Sequence, residues 1–512
     1  MRNVARTAVG LMIATIIAKI LGFGRELVLA SAYGANMYSD AYLMATNIPL
    51  VIFTIIGSTL ATVLIPMYFE IDNKLGEDKA LKFFNNVFNI VILVCLVLSI
   101  LGIIFTKPIV KIFAIGFEGV VFNITVKFTK ILIVGIIFTG LSYLMTSYLQ
   151  IKNNFIIPGL ISVPKNIIII ISIIYSVKYN PYMMIWGALI GTIIEFIVQL
   201  PFAIKKGYKY KLYINVKDKY IKKMIWLILP VLIGVAVNQV NTMIDRTLAS
   251  TLAEGSISAL NYANKLNGFV MVLFISSIGA IIYPILSKLS AENNKERFIN
   301  SVITSINSVV LLIIPISVGA IVLAKPIVKI LFERGAFDSR ATTMTAMALA
   351  TYSVGMIGVG LRDILGKIFY ALQDTKAPMI NGVIAMSMNI VLNFILIKHL
   401  GLVGLAFATS ISSIICILLL FRNLKKKIGY FGQDKILKST VKSTISSIIM
   451  GGITYYSYKL LYTILGSGLI NEALSLFISV VIGAIVYVII VYILKVEEIK
   501  IIEDHIKKKL KK

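Results

Sequence analysis

Apolar stretches of about twenty residues recur along the whole chain, each long enough to cross a roughly 30 Å hydrocarbon core as a helix. The pattern predicts spans at 7–33, 40–69, 82–106, 124–150, 156–177 and 183–204. After a basic stretch it predicts more at 224–252, 257–289, 300–324, 341–370, 377–397, 402–421, 438–464 and 470–494, fourteen in all. The strict alternation of a membrane β-barrel is absent. Composition agrees, because 58% of the 512 residues are hydrophobic and only 14% charged, against about a quarter charged in soluble domains. The expected fold is an all-α integral membrane protein. Its first apolar run is too long for a signal-peptide core and reaches no small-residue cleavage site, so it is expected to stay as a helix.

Charge orients these spans. Lysines crowd Lys205–Lys223, the connection after Phe421 (Arg422, Lys425, Lys426, Lys427) and the tail Lys495–Lys512, while Gly34–Ser39 and Ala253–Ser256 carry neither Lys nor Arg. An even number of spans puts both termini on one side, and the basic loops make that side the cytoplasm. Most of the formal +27 charge lies in those segments, where topology and contact with anionic lipid account for it without nucleic acid. Cys95 and Cys416 lie far apart in apolar runs and read as small buried hydrophobes rather than a disulfide.

The chain also repeats itself. KPIVKIF (Lys107–Phe113) returns as KPIVKILF (Lys325–Phe332), and Pro66 corresponds at the same offset to Pro284. YLQIKNNFIIP (Tyr148–Pro158) returns as YALQDTKAP (Tyr370–Pro378). An even-numbered repeat enters the membrane in the same direction twice, so the expectation is two parallel six-helix lobes around a central cavity plus two extra C-terminal helices. The corresponding segments are an N-terminal lobe at 1–204, a basic cytoplasmic linker at 205–223, a C-terminal lobe at 224–421, and the last two helices with the basic tail at 422–512. Both KPIVKI segments fall on the external side, where Lys beside apolar residues suits the interface.

Charges inside the spans carry the chemistry. AKILGFGRELVLA (Ala18–Ala30) sets Lys19, Arg25 and Glu26 in the first span, although an ionisable group at a membrane helix centre costs roughly 2.5–3.5 kcal/mol and marks a bundle interior or water-filled path. Gly22 and Gly24, flanking Phe23, invite a bend there. A structural reading pairs Arg25 with Glu26 or Asp40; a functional one gives the cations to an anionic substrate. A guanidinium fork together with a compact ammonium suits a diphosphate better than one carboxylate. Lys265, in NYANKLNGF, takes the repeat position of Asn47 and brings a cation from the second repeat. Arg362, Asp363 and Lys367 approach a cytoplasmic end where snorkelling is easy, and Arg362 is kept as a candidate.

Asn238, Asn241 and Asp245 recur at three and four residues along one helix face, while Asn389 and Asn393 lie one turn apart and Thr409 follows on the next span. Such hard oxygens suit a small cation such as sodium, and they equally suit hydrogen bonds between helices. Glu195 is a mid-span acid for which the sequence names no partner. Enzyme signatures are missing. His399 is expected in a loop and His505 in the tail, and no glycine-rich phosphate loop ends in Lys-Ser or Lys-Thr. GMIGVG (Gly355–Gly360) reads as close helix packing. Neither an enzyme nor a cofactor is expected.

AKILGFGRELVLASAYGANMYSDAYLMATNIP, followed by LFERGAFDS and IFYALQDTKAP, resembles the MurJ (MviN) family of lipid II flippases within the superfamily of drug antiporters and polysaccharide flippases. The resemblance runs through essentially the whole chain. It implies a two-lobed fold of fourteen helices that carries lipid-linked peptidoglycan precursor to the outer leaflet of the cytoplasmic membrane, its last two helices forming a groove for the polyprenyl tail. By this resemblance the substrate cavity maps onto Lys19 and Lys265, where the family commonly has Arg, onto Arg25, onto Glu26, where Asp is usual, and onto Asp40. It implies a sodium site of Asp245, Asn389, Asn393, Thr409 and the backbone of Leu405, with Asn393 standing where some members carry a carboxylate. Many members also have an arginine in the segment matching Leu50–Ile56, where this chain has only apolar residues and Thr54. The implied partners are an undecaprenyl-diphosphate-linked lipid and membrane lipids, with a monomer as the working unit and the wall-synthesis machinery as a candidate neighbour. Two other readings stay open: a flippase for a teichoic, capsular or spore-wall precursor, and a cation-coupled drug antiporter.

Overall fold

The computed structural model describes residues 2–292 and 294–496, and among them the structure is helical with no strand. The basic tail beyond Val496, including His505, and the side chains of Thr54 and Asn238 lie outside what is described. Every expected span falls on one helix or on helices that follow end to end. The first two are Arg2–Tyr33 and Met37–Leu75, and the span expected at 224–252 is Lys219–Ala249. By length and composition, seven helices among the described residues qualify as spans, or nine when each of two bent pairs counts as one. The span expected at 257–289 contains a π-helical turn at Met271–Ile275. Helix Lys376–Ile428 has 53 residues but breaks at Gly401 (φ 54°, ψ −128°), between the two spans expected there. His399, expected in a loop, is helical and sits just before that break.

The internal repeat is visible in the backbone. Gly119–Ile133 with Gly135–Ile151 bends by 40°, and Ser339–Val354 with Met356–Ala371 bends by 43°. The two KPIVKI segments form the short helices Thr106–Phe113 and Ala324–Phe332, entered through Phe105 (φ −95°, ψ 21°) and Leu323 (φ −102°, ψ 16°). Each buries one side, through Val110 and Val328 respectively. The third repeated segment ends its helix on a left-handed residue in both copies, Asn153 and Gln373, each with φ 55°. Such a conformation is uncommon outside glycine, so its recurrence marks a shared local structure.

The chain forms two compact units, Met1–Ser258 with Arg334–Phe337, and Ala259–Glu333 with Asp338–Lys512. The division falls later than the basic segment 205–223, because helix Lys219–Ala249 is bonded into the first unit. Arg246 donates to the Leu43 carbonyl (3.2 Å), Thr247 donates to the Phe113 carbonyl (2.8 Å), and the Gly116 amide donates to Ser250 Oγ (3.1 Å).

The basic segment itself is a pinned strap. Asn85, Asn86 and Asn89 of helix Glu77–Ile104 are buried beneath it. Asn85 Nδ2 donates to the Lys209 carbonyl (2.9 Å), and Asn86 Nδ2 to that of Asn215 (3.0 Å). Asn89 Nδ2 donates to the carbonyls of Lys211 (3.1 Å) and Tyr213 (3.2 Å) and its Oδ1 accepts from Tyr210 (2.8 Å). These amides do for the extended strap what a neighbouring strand would do. Asn89 makes three of these bonds, each worth about 0.5–1.5 kcal/mol net, so Asn89→Leu is expected to free the strap locally. Limited trypsin digestion of the solubilised protein checks this: cleavage after Lys209, Lys211 or Lys217 should accelerate at least tenfold, by about 1.4 kcal/mol of easier opening per decade.

In the second unit, small residues let helices approach. A Cβ on Gly358 would lie 2.5 Å from Ser413 Oγ, and one on Gly355 would lie 2.5 Å from Ser410 Cα. Ser410 donates to the Thr351 carbonyl (2.7 Å) and Ser413 to that of Gly355 (3.1 Å), which is close helix packing through GMIGVG. The last two helices, Gln433–Leu465 and Leu469–Ile493, pack into this unit. Tyr487 bonds Ser443 and donates to the Leu311 carbonyl, both at 2.8 Å, while Lys329 pairs with the buried Glu472 at 2.6 Å. In the loop after Ala371, a hydrogen bond from Lys427 holds the Asp374 carboxyl below its usual range. That tether is present above the ordinary carboxylate pKa and is lost as pH falls through the depressed one. Cys95 and Cys416 are buried and free, as expected.

Candidate functional site

Helix Arg2–Tyr33 runs unbroken through Gly22 and Gly24, so the expected bend does not interrupt it. Gly22 faces Asn166, whose Nδ2 lies 3.7 Å from where a Cβ would sit, an ordinary contact distance. Asn166, on helix Ser162–Lys178, is almost fully buried.

Arg25 divides its fork. Nη2 donates to Glu26 Oε1 at 2.7 Å and Nη1 to Asn166 Oδ1 at 3.2 Å. Adjacent residues on a helix do not face each other, and it is the length of the arginine that lets the pair close. Of the two carboxylates the sequence offered to Arg25, Glu26 is the one that takes it.

Asp40 is committed elsewhere. Its Oδ2 accepts from the Gly255 amide (2.8 Å), and its Oδ1 accepts from the Ser258 amide (2.8 Å) and hydroxyl (2.6 Å). It thus holds the turn that begins helix Ser256–Val270, while Asn36 caps its own helix through the Tyr38 and Ser39 amides. Around this turn three loops meet at glycines. Gly34 has φ +63° and a Cβ there would meet the Ala336 carbonyl oxygen at 2.3 Å; Gly335 has φ +61° and would meet that of Ser31 at 2.2 Å. The Ala336 amide donates to the Ser31 carbonyl at 2.8 Å. The YGANMYSD and ERGAF motifs are therefore structural stitching, through close backbone approach at their glycines and through the Asn36 and Asp40 side chains.

Glu195 finds the partner that the sequence did not name. Lys165 Nζ lies 2.8 Å from its Oε2. One helical turn on, the fully buried Gln199 donates to Ser142 Oγ (2.8 Å) and the Glu195 carbonyl (2.9 Å) and accepts from Thr146 (2.9 Å). Spacing gives no signal for Lys165, because the contact is between helices; a lysine near the start of an apolar run was the only hint.

The remaining candidates fall as follows. Lys19 is exposed on the first helix; Lys265 and Arg362, in the second unit, are also exposed, and Lys367 pairs with Asp363 at 2.5 Å. The second unit brings four sodium candidates into one chain of hydrogen bonds. Asn393 Nδ2 donates to Asn389 Oδ1 (3.2 Å), Asn389 Nδ2 to Thr409 Oγ1 (3.4 Å), and Thr409 to the Leu405 carbonyl (3.2 Å). These are oxygens of the kind a small hard cation takes. Asp245 belongs to the first unit.

The model of the family described as lipid II flippase MurJ matches residues 29–474. The chain belongs to the MurJ family. The lipid II flippase MurJ of Burkholderia cenocepacia is 26% identical over 452 residues, covering 86% of this chain and 88% of its own length. The probable lipid II flippase MurJ of Vibrio cholerae is 28% identical, covering 94% of both chains. A solved structure of a lipid II flippase MurJ in an inward closed conformation matches with TM-score 0.81 at 30% identity, over 94% of this chain and 98% of that one. An inward-facing multidrug transporter of the MATE family, 14% identical with TM-score 0.63 over 82% of this chain, shares the fold. The MurJ match takes in Asp40, Asp245, Lys265, Arg362, Asn389, Asn393, Leu405 and Thr409, whereas Lys19, Arg25 and Glu26 precede it.

Proposed function

We propose that this chain carries lipid II, an undecaprenyl-diphosphate-linked peptidoglycan precursor, from the inner to the outer leaflet of the bacterial cytoplasmic membrane. It works as a monomer by alternating access, with both termini cytoplasmic. The observation that carries this reading is the end-to-end likeness to lipid II flippases, at 30% identity over 94% of the chain in the solved structure. Arg25 supports it physically: a guanidinium inside a membrane helix, with one arm on a neutral amide, can turn toward phosphate oxygens, which match its planar fork. Lys19, Glu26, Lys265 and Arg362 are the further headgroup candidates, and no catalytic residue is assigned because flipping makes and breaks no covalent bond.

Sodium is proposed as coupling ion at Asn389, Asn393, Thr409 and the Leu405 carbonyl. One elementary charge moved across 100 mV supplies about 2.3 kcal/mol, enough to bias a conformational cycle. One feature favours a second reading, a flippase for another undecaprenyl-linked oligosaccharide: Leu50–Ile56 carries no cation. Mass spectrometry of lipid retained by the gently solubilised protein separates the two. A disaccharide-peptide on undecaprenyl diphosphate is expected, and a teichoic or capsular intermediate in its place would overturn the assignment.

A further inference from the structure

One helix in the first unit touches two ion pairs. Lys165 and Asn166 are consecutive on Ser162–Lys178, so their side chains leave it about 100° apart. Asn166 reaches Arg25 on the first helix and Lys165 reaches Glu195 on Tyr182–Ile197. In each pair the cation is the more accessible member: 25% for Arg25 against 4% for Glu26, and 27% for Lys165 against 14% for Glu195. The accessible side of each pair is therefore the cation's, with the carboxylate set deeper. Two cations and two carboxylates sum to zero, which lowers the cost of holding four charges among apolar spans.

We infer that Lys165 is a second phosphate-binding cation beside Arg25, and that Glu26 and Glu195 are resident counter-ions which the phosphates of the ligand displace. Binding is then an exchange of carboxylate for phosphate at both cations. This rests on the diphosphate-lipid reading above and extends it to Lys165 and Glu195, which no sequence motif marked. The exchange gives opposite signs for the two members of one ion pair. Neutralising Glu195 removes the competitor and tightens anion binding, whereas neutralising Lys165 removes the binder and weakens it. A pair that merely fastened two helices would lose stability on either change and leave affinity alone.

The test titrates the full-length solubilised protein with undecaprenyl diphosphate, and with undecaprenol as the phosphate-free control, by native mass spectrometry. Glu195→Gln is expected to bind the diphosphate at least threefold more tightly, and Lys165→Gln to bind about tenfold more weakly, a change of about 1.4 kcal/mol. Lys165→Arg should restore binding. Undecaprenol should respond to neither change. Should Glu195→Gln not fold, Lys165→Met combined with Glu195→Met, an apolar pair of similar volume, decides instead: it should bind about tenfold more weakly. Weaker or unaltered binding by Glu195→Gln, or full affinity in Lys165→Gln or the Met pair, overturns the inference. A wild-type protein that does not distinguish diphosphate from alcohol overturns the functional reading itself.

Discussion

Replacing Arg25 by glutamine is expected to end the ability of this chain to support cells depleted of their own lipid II flippase, while the protein still accumulates in the membrane. The positive charge of Arg25 grips both a carboxylate, at 2.7 Å, and a neutral amide, at 3.2 Å. Glutamine keeps a donor for Asn166 but offers no charge to a phosphate. Charge-assisted hydrogen bonds are each worth about 1.5–3 kcal/mol, so losing two to a ligand lowers affinity by about two to four orders of magnitude. The buried Glu26, deprived of its guanidinium, confounds a single substitution, because stranding a carboxylate destabilises by itself. The double change Arg25→Gln with Glu26→Gln removes that complication and should be equally inactive, with its thermal midpoint close to the parent. Arg25→Lys keeps the charge and loses the fork, and should retain partial growth. Normal growth on the double variant would sink the role assigned to Arg25.

The parts of this fold that were legible in sequence are those governed by the solvent. Hydrocarbon demands apolar runs of fixed length, so apolar spans could be read directly, and the repeated KPIVKI segments announced a duplication; the paired bends were not visible in it. What could not be read depends on contacts between distant helices. Glu195 was visible as an acid, but Lys165 lies thirty residues away on another helix with no periodicity linking them. The family resemblance places Asp40 in the substrate cavity, and nothing local in the sequence shows that its carboxylate also closes on an amide two hundred and fifteen residues later. Asn85, Asn86 and Asn89 did leave a signal, three amides close together just ahead of the apolar run Ile90–Leu98. That is more hydrogen-bonding capacity than a lipid-facing turn can use.

Alanine at Gly255 is expected to be far more damaging than alanine at Gly119, although both glycines have positive φ. Gly119, at φ +53°, has open space where a Cβ would go. The substitution there adds only the left-handed penalty of about 1–2 kcal/mol. Gly255, at φ +87°, would place a Cβ 2.2 Å from the Ala35 carbonyl oxygen and 2.7 Å from its carbon. Backbone on that side cannot swing away as a side-chain tip can. Moreover, the Gly255 amide is one of the donors that hold Asp40, so any retreat of the turn strands a carboxylate that is only 3% exposed. Adding an overpacking term of about 1–3 kcal/mol and the loss of a buried charged hydrogen bond, about 1.5–3 kcal/mol, puts the total near 4 kcal/mol or above. That is a large part of the margin of a typical fold. Purified in one detergent, Gly119→Ala should show a thermal midpoint within a few degrees of the parent, while Gly255→Ala should show a steep drop or fail to elute as a single species. Matching midpoints for the two would mean that the Ala35–Gly255 approach does not constrain the first unit.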